Sequence, residues 1–430
     1  MTATVIVGAN WGDEGKGRIV DYLAVDATAS IRFQGGNNAG HTVINDAGTF
    51  KLNQLPSGIF NPDCLAVLGP GMVISPEALS LELTRLAAAG ISPKLLISDR
   101  ATLNLPLHAQ QDTLEELRLG DEAYGSTRRG IAPAYGDRVM KKAMLVGWLL
   151  QPELLQRRLG QWLDWKLPQL RALYPEQRFE HCASELCDYL LRVSAPWRDA
   201  IGDTGDTLAA MERAGATLLF EAQLGAARDL VYGEYPWTTS SSVLAAYAGM
   251  GSGLPALRPE RVIAVAKAFS SSVGTGTLLT AMEQQHDFRQ HTGEFGAVTG
   301  RPRNIGHFDA VATARGARLQ GATEIALTKL DCLSDLGTLK LACAYHHQNT
   351  DNPLWPQTQT LQPIYETLPS WSGDITHIRN FAELPPAAQN YVLRIEQLVG
   401  LPVTMISVGP ERGQMILRQP RRLRTGGLVN

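Results

Sequence analysis

Short runs of β-branched and aliphatic residues recur along the chain, at residues 4–7, 30–33, 65–68, 95–98, 217–221, 262–266, 324–328 and 405–408. Stretches with helical spacing of apolar positions lie between them. This alternation predicts an α/β fold with a large, mostly parallel central sheet flanked by helices. A helix is expected over residues 18–24, directly after the first run. Ser75-Pro76-Glu77 opens a second helix, with the serine as cap and the proline at the first helical position. That helix should continue to Ala89, before Gly90. Residues 151–213 carry little strand signal and many Leu, Ala, Glu and Arg residues, so they read as a helical excursion. No repeat, low-complexity tract or glycine-serine linker divides the chain. One domain over residues 1–430 is expected, ending in a solvated basic tail at about 419–430.

Composition narrows the class. The chain has 430 residues, 44% of them apolar, and a net charge of -3, which gives no general attraction to nucleic acid or membrane. No apolar segment approaches the roughly 20 residues needed to span a bilayer, and residue 4 already begins a strand with no charged-then-apolar leader before it. Five cysteines, Cys64, Cys182, Cys187, Cys332 and Cys343, lack zinc-type spacing and lie mostly in apolar runs. Buried thiols in a reducing cytoplasm are expected.

The first run ends in Gly8-Ala9-Asn10-Trp11-Gly12-Asp13-Glu14-Gly15-Lys16-Gly17-Arg18. A glycine-rich turn between a strand and a helix lets backbone N–H groups approach phosphate oxygens, and a lysine adds a point charge. This P-loop-like phosphate loop differs from the standard one, because Gly17 stands where a Ser or Thr normally holds magnesium. It also contains two acids, Asp13 and Glu14. An acid among phosphates is repelled unless it binds the metal or handles a proton. The second run ends in Gln34-Gly35-Gly36-Asn37-Asn38-Ala39-Gly40-His41-Thr42, which delivers one imidazole among small residues and amides. A lone histidine is more often structural than catalytic. At a strand end, between two such turns, a catalytic histidine is the better reading.

With both loops, the chain resembles the adenylosuccinate synthetase family. Further landmarks follow in order: Leu55-Pro56-Ser57-Gly58-Ile59, Gly130-Ile131-Ala132-Pro133-Ala134-Tyr135, Gly233-Glu234-Tyr235-Pro236, Thr239-Ser240-Ser241, Thr299-Gly300-Arg301, Thr328-Lys329-Leu330-Asp331 and Gly409-Pro410-Glu411-Arg412. The resemblance implies a GTP-dependent ligase, in the cytoplasm, that joins L-aspartate to carbon 6 of inosine monophosphate (IMP) through a 6-phosphoryl intermediate. It implies Asp13 as general base and His41 as general acid, with Mg2+ held by Asp13 and the carbonyl of Gly40. GTP would be held by Gly12, Glu14, Gly15, Lys16, Gly17 and Arg18 in the first loop and by Gly40, His41 and Thr42 in the second. Arg303, the guanine-reading Lys329-Leu330-Asp331 and the segment Ser407-Val408-Gly409 would complete that set. Asn38 and Thr127 would hold the nucleotide 5'-phosphate, Lys141, Gln223, Leu224, Thr239 and Arg301 would meet the same nucleotide, and Val298, Thr299, Gly300, Arg301 and Arg303 belong to the aspartate loop. Lys141 would reach across a homodimer interface.

Four departures from the family pattern stand out. The glutamine of the Glu221-Ala222-Gln223-Leu224 turn comes one place early, leaving Leu224 in its position. At a strand end such a slip reverses the face of the side chain, unless a bulge restores it. Lys141 replaces an arginine and loses its fork geometry. Pro302 and Asn304 replace two arginines, and His307 replaces an aromatic residue. A paralogue using the same chemistry on another 6-oxopurine nucleotide, such as GMP or dGMP, is therefore an open alternative, although Asp13 argues against the phage enzyme that condenses aspartate with a guanine nucleotide. A non-catalytic GTP-binding module is a third reading. It would need neither His41 nor an aspartate loop.

Overall fold

The computed structural model describes residues 2–272, 276–296, 300–346 and 361–419. Its centre is a ten-stranded sheet. In chain order the strands are β1 (Thr2–Gly8), β2 (Ala29–Arg32), β3 (Leu65–Leu68), β4 (Leu95–Ser98), β5 (Ile201–Gly202), β6 (Thr217–Glu221), β7 (Arg261–Lys267), β8 (Glu324–Thr328), β9 (Val403–Ser407) and β10 (Met415–Leu417). In space they run β10-β9-β8-β7-β1-β6-β2-β3-β4-β5. Every neighbouring pair is parallel except β9 with β10. Each run named from sequence lies in this sheet. The two strands that pattern reading missed, β5 and β10, are short and lie at its edges.

Both faces of the sheet are buried, which is why its strands read as continuous apolar runs. Along β1, Ala3, Val5 and Val7 enter one core with Phe220 and Ala264, while Ile6 enters the other with Leu219, Val265 and Ala326. The helix after the first loop, α1 (Lys16–Leu23), starts two residues earlier than expected and packs Ile19 and Val20 into that second core. Helix α2 (Pro76–Ala88) begins at the anticipated proline, but Ser75 makes no side-chain cap. The buried amide of Gln54 accepts from Ser75 N–H at 2.8 Å and donates to its carbonyl at 3.1 Å, which fixes the backbone of the residue before the helix.

Residues 106–213 supply α3 (Pro106–Leu119), α4 (Ile131–Val139), α5 (Pro152–Leu173), α6 (Ala183–Ser194) and α7 (Thr204–Arg213). The expected helical excursion is therefore interrupted by β5, which pairs with β4 and returns the chain to the sheet. Leu155, Leu159, Trp162 and Leu163 of α5 share a core with Leu68 and Ile97 of the sheet. One buried carboxylate joins three of these helices. Asp137 of α4 accepts from His108 of α3 at 3.0 Å, and from Trp162 Nε1 at 2.7 Å and Lys166 Nζ at 2.8 Å on α5.

Only Cys64 and Cys187 are buried. Cys182 is exposed, and Cys332 and Cys343 are half-buried free thiols, so the expectation of uniformly buried thiols is corrected. Arg418 pairs with Glu396 at 2.6 Å and lies 4.0 Å from the centre of the Phe381 ring. From Pro420 onward the tail lies outside the described residues.

Asp137→Ala should lower unfolding stability by about 3–5 kcal/mol, because it strands the buried Lys166 charge. Denaturant unfolding gives the size of the loss, and hydrogen exchange should place it first in α5. Unchanged stability would show that the three donors find other partners.

Candidate active site

Parallel strands place all their C-terminal ends on one edge of the sheet, so loops distant in sequence meet there. The loop after β1 is organised from inside. Glu14 is 2% exposed and accepts from the N–H groups of Asn10 at 3.2 Å and Gly12 at 2.8 Å, and from Lys16 Nζ at 2.6 Å. Thr328, at the end of β8, donates its hydroxyl to the Glu14 carbonyl at 2.6 Å. Gly15 caps α1 at φ +93°, a backbone region open to glycine, and no side chain covers the first N–H groups of the helix. Glu14 thus acts as loop architecture. Asp13 is in left-handed backbone at φ +60°, and its carboxylate meets Arg303 at 2.8 Å.

The loop after β2 carries His41. Its Nδ1 bonds to Glu221 at the end of β6, which leaves Nε2 as the nitrogen able to serve a substrate. Glu221 is fully buried and also accepts from the Ser57 N–H at 2.6 Å and hydroxyl at 2.8 Å. Burial pushes its carboxyl up, but His41, Arg32 and the Ser57 N–H outweigh that and hold it at about 2. Burial drives the His41 imidazole below its usual range, while Glu221 opposes this.

The residues expected to hold GTP converge. Arg18 of α1 donates to the Ser407 hydroxyl and the Gly409 carbonyl, and to the Gln414 carbonyl at 2.8 Å. Leu330 N–H donates to the Ser407 carbonyl at 3.2 Å, which brings the Lys329-Leu330-Asp331 turn beside buried Val408. Lys329 Nζ reaches Glu294 at 2.6 Å. Glu294 is fully buried and also holds Lys267 at 2.7 Å and Arg303 at 2.9 Å. Burial works against its ionisation, yet the three cations keep it well below the usual carboxylate range. Burial in turn lowers Lys267 to about 8.

Beside these groups lies a cavity of about 700 Å³, bordered by Asp13, Asn38, Gly40, Thr127, Leu224 and Thr239. Leu224, in left-handed backbone at φ +61°, forms an apolar part of the wall. Gln223 is fully buried, bonded to Arg32 and, at 2.6 Å, to Asn38. Arg301 is exposed and donates to the Gly125 carbonyl at 3.4 Å, next to exposed Gly300. Val298 and Thr299 lie outside the described residues. Thr42 is exposed on the strand His41–Asn45, and Gly17 is buried under Ser57 and His41. Lys141 is exposed at φ +64°, next to Met140, which borders the cavity. His307 stacks edge-on against Tyr365, with ring centres 5.4 Å apart.

Sequence reading gave no role to Glu221 or Glu294, two of the carboxylates that organise these groups. Glu221 had a signal, an acid at a strand end that opens the Glu221-Ala222-Gln223-Leu224 turn. Glu294 and Lys267 had none, because only folding brings residues 267, 294, 303 and 329 together. The described residues hold no group of three or more His, Cys, Asp or Glu side chains able to bind a metal.

A family model described as adenylosuccinate synthetase matches residues 5–416. Adenylosuccinate synthetase 2 of Pseudoalteromonas translucida is 68% identical over 418 residues, covering 97% of this chain and 100% of that protein. The fully ligated adenylosuccinate synthetase of Plasmodium falciparum superposes with a TM-score of 0.89 at 28% identity, over 97% of this chain and 100% of the other. A cyanophage S-2L succinoaminodeoxyadenylate synthetase, solved with dGMP and dATP, shares the fold at a TM-score of 0.60 and 20% identity, over 97% of this chain and 95% of that one.

Glu221→Gln should cut kcat by about 10²–10⁴, because a neutral amide facing Nδ1 no longer favours the imidazolium form that can donate from Nε2. The stability that Glu221 contributes is present above its ordinary value of 4.5 and is lost as pH falls toward about 2. Acid unfolding of the Gln variant should lack that part of the pH slope. A variant with wild-type kcat would remove Glu221 from the work of His41.

Proposed function

The chain belongs to the adenylosuccinate synthetase family, and from that membership we infer how its loops divide the reaction. The enzyme is a GTP-dependent carbon–nitrogen ligase that joins L-aspartate to carbon 6 of IMP, giving adenylosuccinate, GDP and phosphate. The C6 oxygen of a purine leaves poorly until it is phosphorylated, and it becomes nucleophilic when the N1 proton is removed. Asp13 takes that proton. The oxygen then attacks the γ-phosphoryl group of GTP, and the aspartate amine later displaces phosphate from C6. His41, oriented through Nδ1 by Glu221, donates from Nε2 to the oxygen that carries the phosphoryl group. Lys16 meets the phosphates with its charge, and Asn38 and Thr127 hold the 5'-phosphate of IMP. The observation that carries this reading is the meeting of Asp13, Asn38, Gly40 and Thr127 around one cavity, with the His41–Glu221 pair next to Gly40.

Arg303 pairs with Asp13. The carboxylates of L-aspartate would compete for this guanidinium, freeing Asp13 for N1. Asp13 and Gly40 border the same cavity and offer a carboxylate and a carbonyl oxygen, hard donors of the kind that would hold Mg2+. Such an ion neutralises charge on the transferring group when bound. The Lys329-Leu330-Asp331 turn reads guanine, with Ser407, Val408 and Gly409 beside it. The absence of a polar group on Leu224 supports looser selection among 6-oxopurines, with IMP as substrate.

The chain works as one domain, a reading supported by the core that the helical segment shares with the sheet. It pairs into a homodimer, supported by Val139 and Met140, which are 81% and 52% exposed next to Lys141. A cytoplasmic location fits these substrates, and no described helix is long and apolar enough to cross a membrane.

Phosphate release should require GTP, IMP and L-aspartate together, tested against GMP and dGMP in place of IMP. Phosphate release at the full rate without aspartate would refute displacement by the amine. Asp13→Asn and His41→Asn should each lower kcat by about 10²–10⁴ while nucleotide binding persists. Near-normal turnover in either variant would remove that residue from the mechanism. Sedimentation at micromolar concentration with ligands bound should show a dimer, and a monomer there would refute pairing.

A further inference from the structure

Gln223 stands behind the cavity wall in a setting that leaves no choice in the orientation of its amide. Arg32, fully buried beneath it, is a donor only, so the Gln223 oxygen must face Arg32. The Gln223 nitrogen therefore faces Asn38 and donates to Asn38 Oδ1 at 2.6 Å. Asn38 must then turn its own NH2 away from Gln223, and Asn38 borders the cavity. Each step follows from donor and acceptor chemistry alone. Gly35 makes the arrangement possible. It lies at φ +79°, and a Cβ there would fall 2.0 Å from the Gln223 amide carbon.

We propose that Gln223 is a positioning residue: it locks the Asn38 amide so that two N–H donors, and no acceptor, face the 5'-phosphate of the purine nucleotide. The inference rests on the reading of Asn38 as a phosphate-binding residue. It assigns the displaced glutamine of the Glu221-Ala222-Gln223-Leu224 turn a role one layer behind the substrate. The polarity runs from the Arg32 guanidinium through two amides to the phosphate. Such an amide relay presents donors to an anion without placing another full charge on the wall.

The discriminating variant is Gln223→Glu. A carboxylate there pairs well with Arg32, but it can only accept from Asn38. Asn38 then turns its NH2 inward and presents Oδ1 to the phosphate. KM for IMP should rise about tenfold or more, with a smaller change in kcat and KM for GTP within about twofold. Gln223→Met has similar volume and no hydrogen bonds. It frees the Asn38 amide without reversing it, so its rise in KM for IMP should be smaller. In an Asn38→Ala background neither change should raise KM for IMP further.

A purely structural role predicts the opposite order, with Met worse than Glu. That order overturns the proposal, as does a wild-type KM in Gln223→Glu or additivity with Asn38→Ala. If Gln223→Glu fails to fold, Gln223→Met carries the test through the same background: a rise that vanishes supports the relay, and an additive rise overturns it. If Asn38→Ala alone leaves KM for IMP unchanged, the phosphate reading of Asn38 itself fails, and the relay with it.

Discussion

A site for triphosphates must concentrate positive charge, and that charge must remain tolerable before any phosphate arrives. Three buried glutamates meet this constraint. Glu14 holds Lys16, Glu221 holds His41 beside Arg32, and Glu294 holds Lys267, Lys329 and Arg303. A cation buried alone would cost several kcal/mol. Each glutamate is close to fully buried, so its attraction is screened little by solvent. The same carboxylates accept backbone N–H groups from the Asn10–Gly12 turn and from Ser57, so charge balance and loop shape are one device.

This device works because the sheet brings its partners to one edge. β1, β2, β6, β7 and β8 are parallel neighbours or near neighbours, and their C-terminal ends deliver Glu14, His41, Glu221, Lys267 and Lys329. Backbone strain gathers at the same places. Asp13, Leu224 and Lys329 all hold positive φ without being glycine, each in a loop that leaves a strand at this edge. Farther out, Asp137 repeats the principle in a structural setting, where one buried carboxylate satisfies an imidazole, an indole and an ammonium group from two helices.

Much of this was legible in the residue order. Apolar runs marked the interior strands, because strands covered on both faces must be apolar along their whole length. Gly12, Gly15 and Lys16 announced a phosphate loop, and the loop carrying His41 announced chemistry. The short edge strands β5 and β10 gave no such signal. Ser75 makes no side-chain cap, and its backbone is held by the buried amide of Gln54, a contact about which local propensity carries no information. Gln223 is the most instructive case. A one-residue slip was visible in the turn, but whether it emptied the site or served it depended on what lay behind the wall.

The sequence by itself determined the fold class, the positions of the interior strands, the two glycine-rich loops and the family, because periodicity and loop chemistry are local properties. Only the tertiary structure decided which carboxylate neutralises which cation. It also decided that Glu14 builds the loop, that Arg303 clamps Asp13, and that Gln223 stands behind Asn38 while Leu224 faces the cavity. The physical reason is that ion pairs and hydrogen bonds depend on distance and burial. Residues as far apart as 13 and 303, or 38 and 223, acquire both only when the parallel sheet closes.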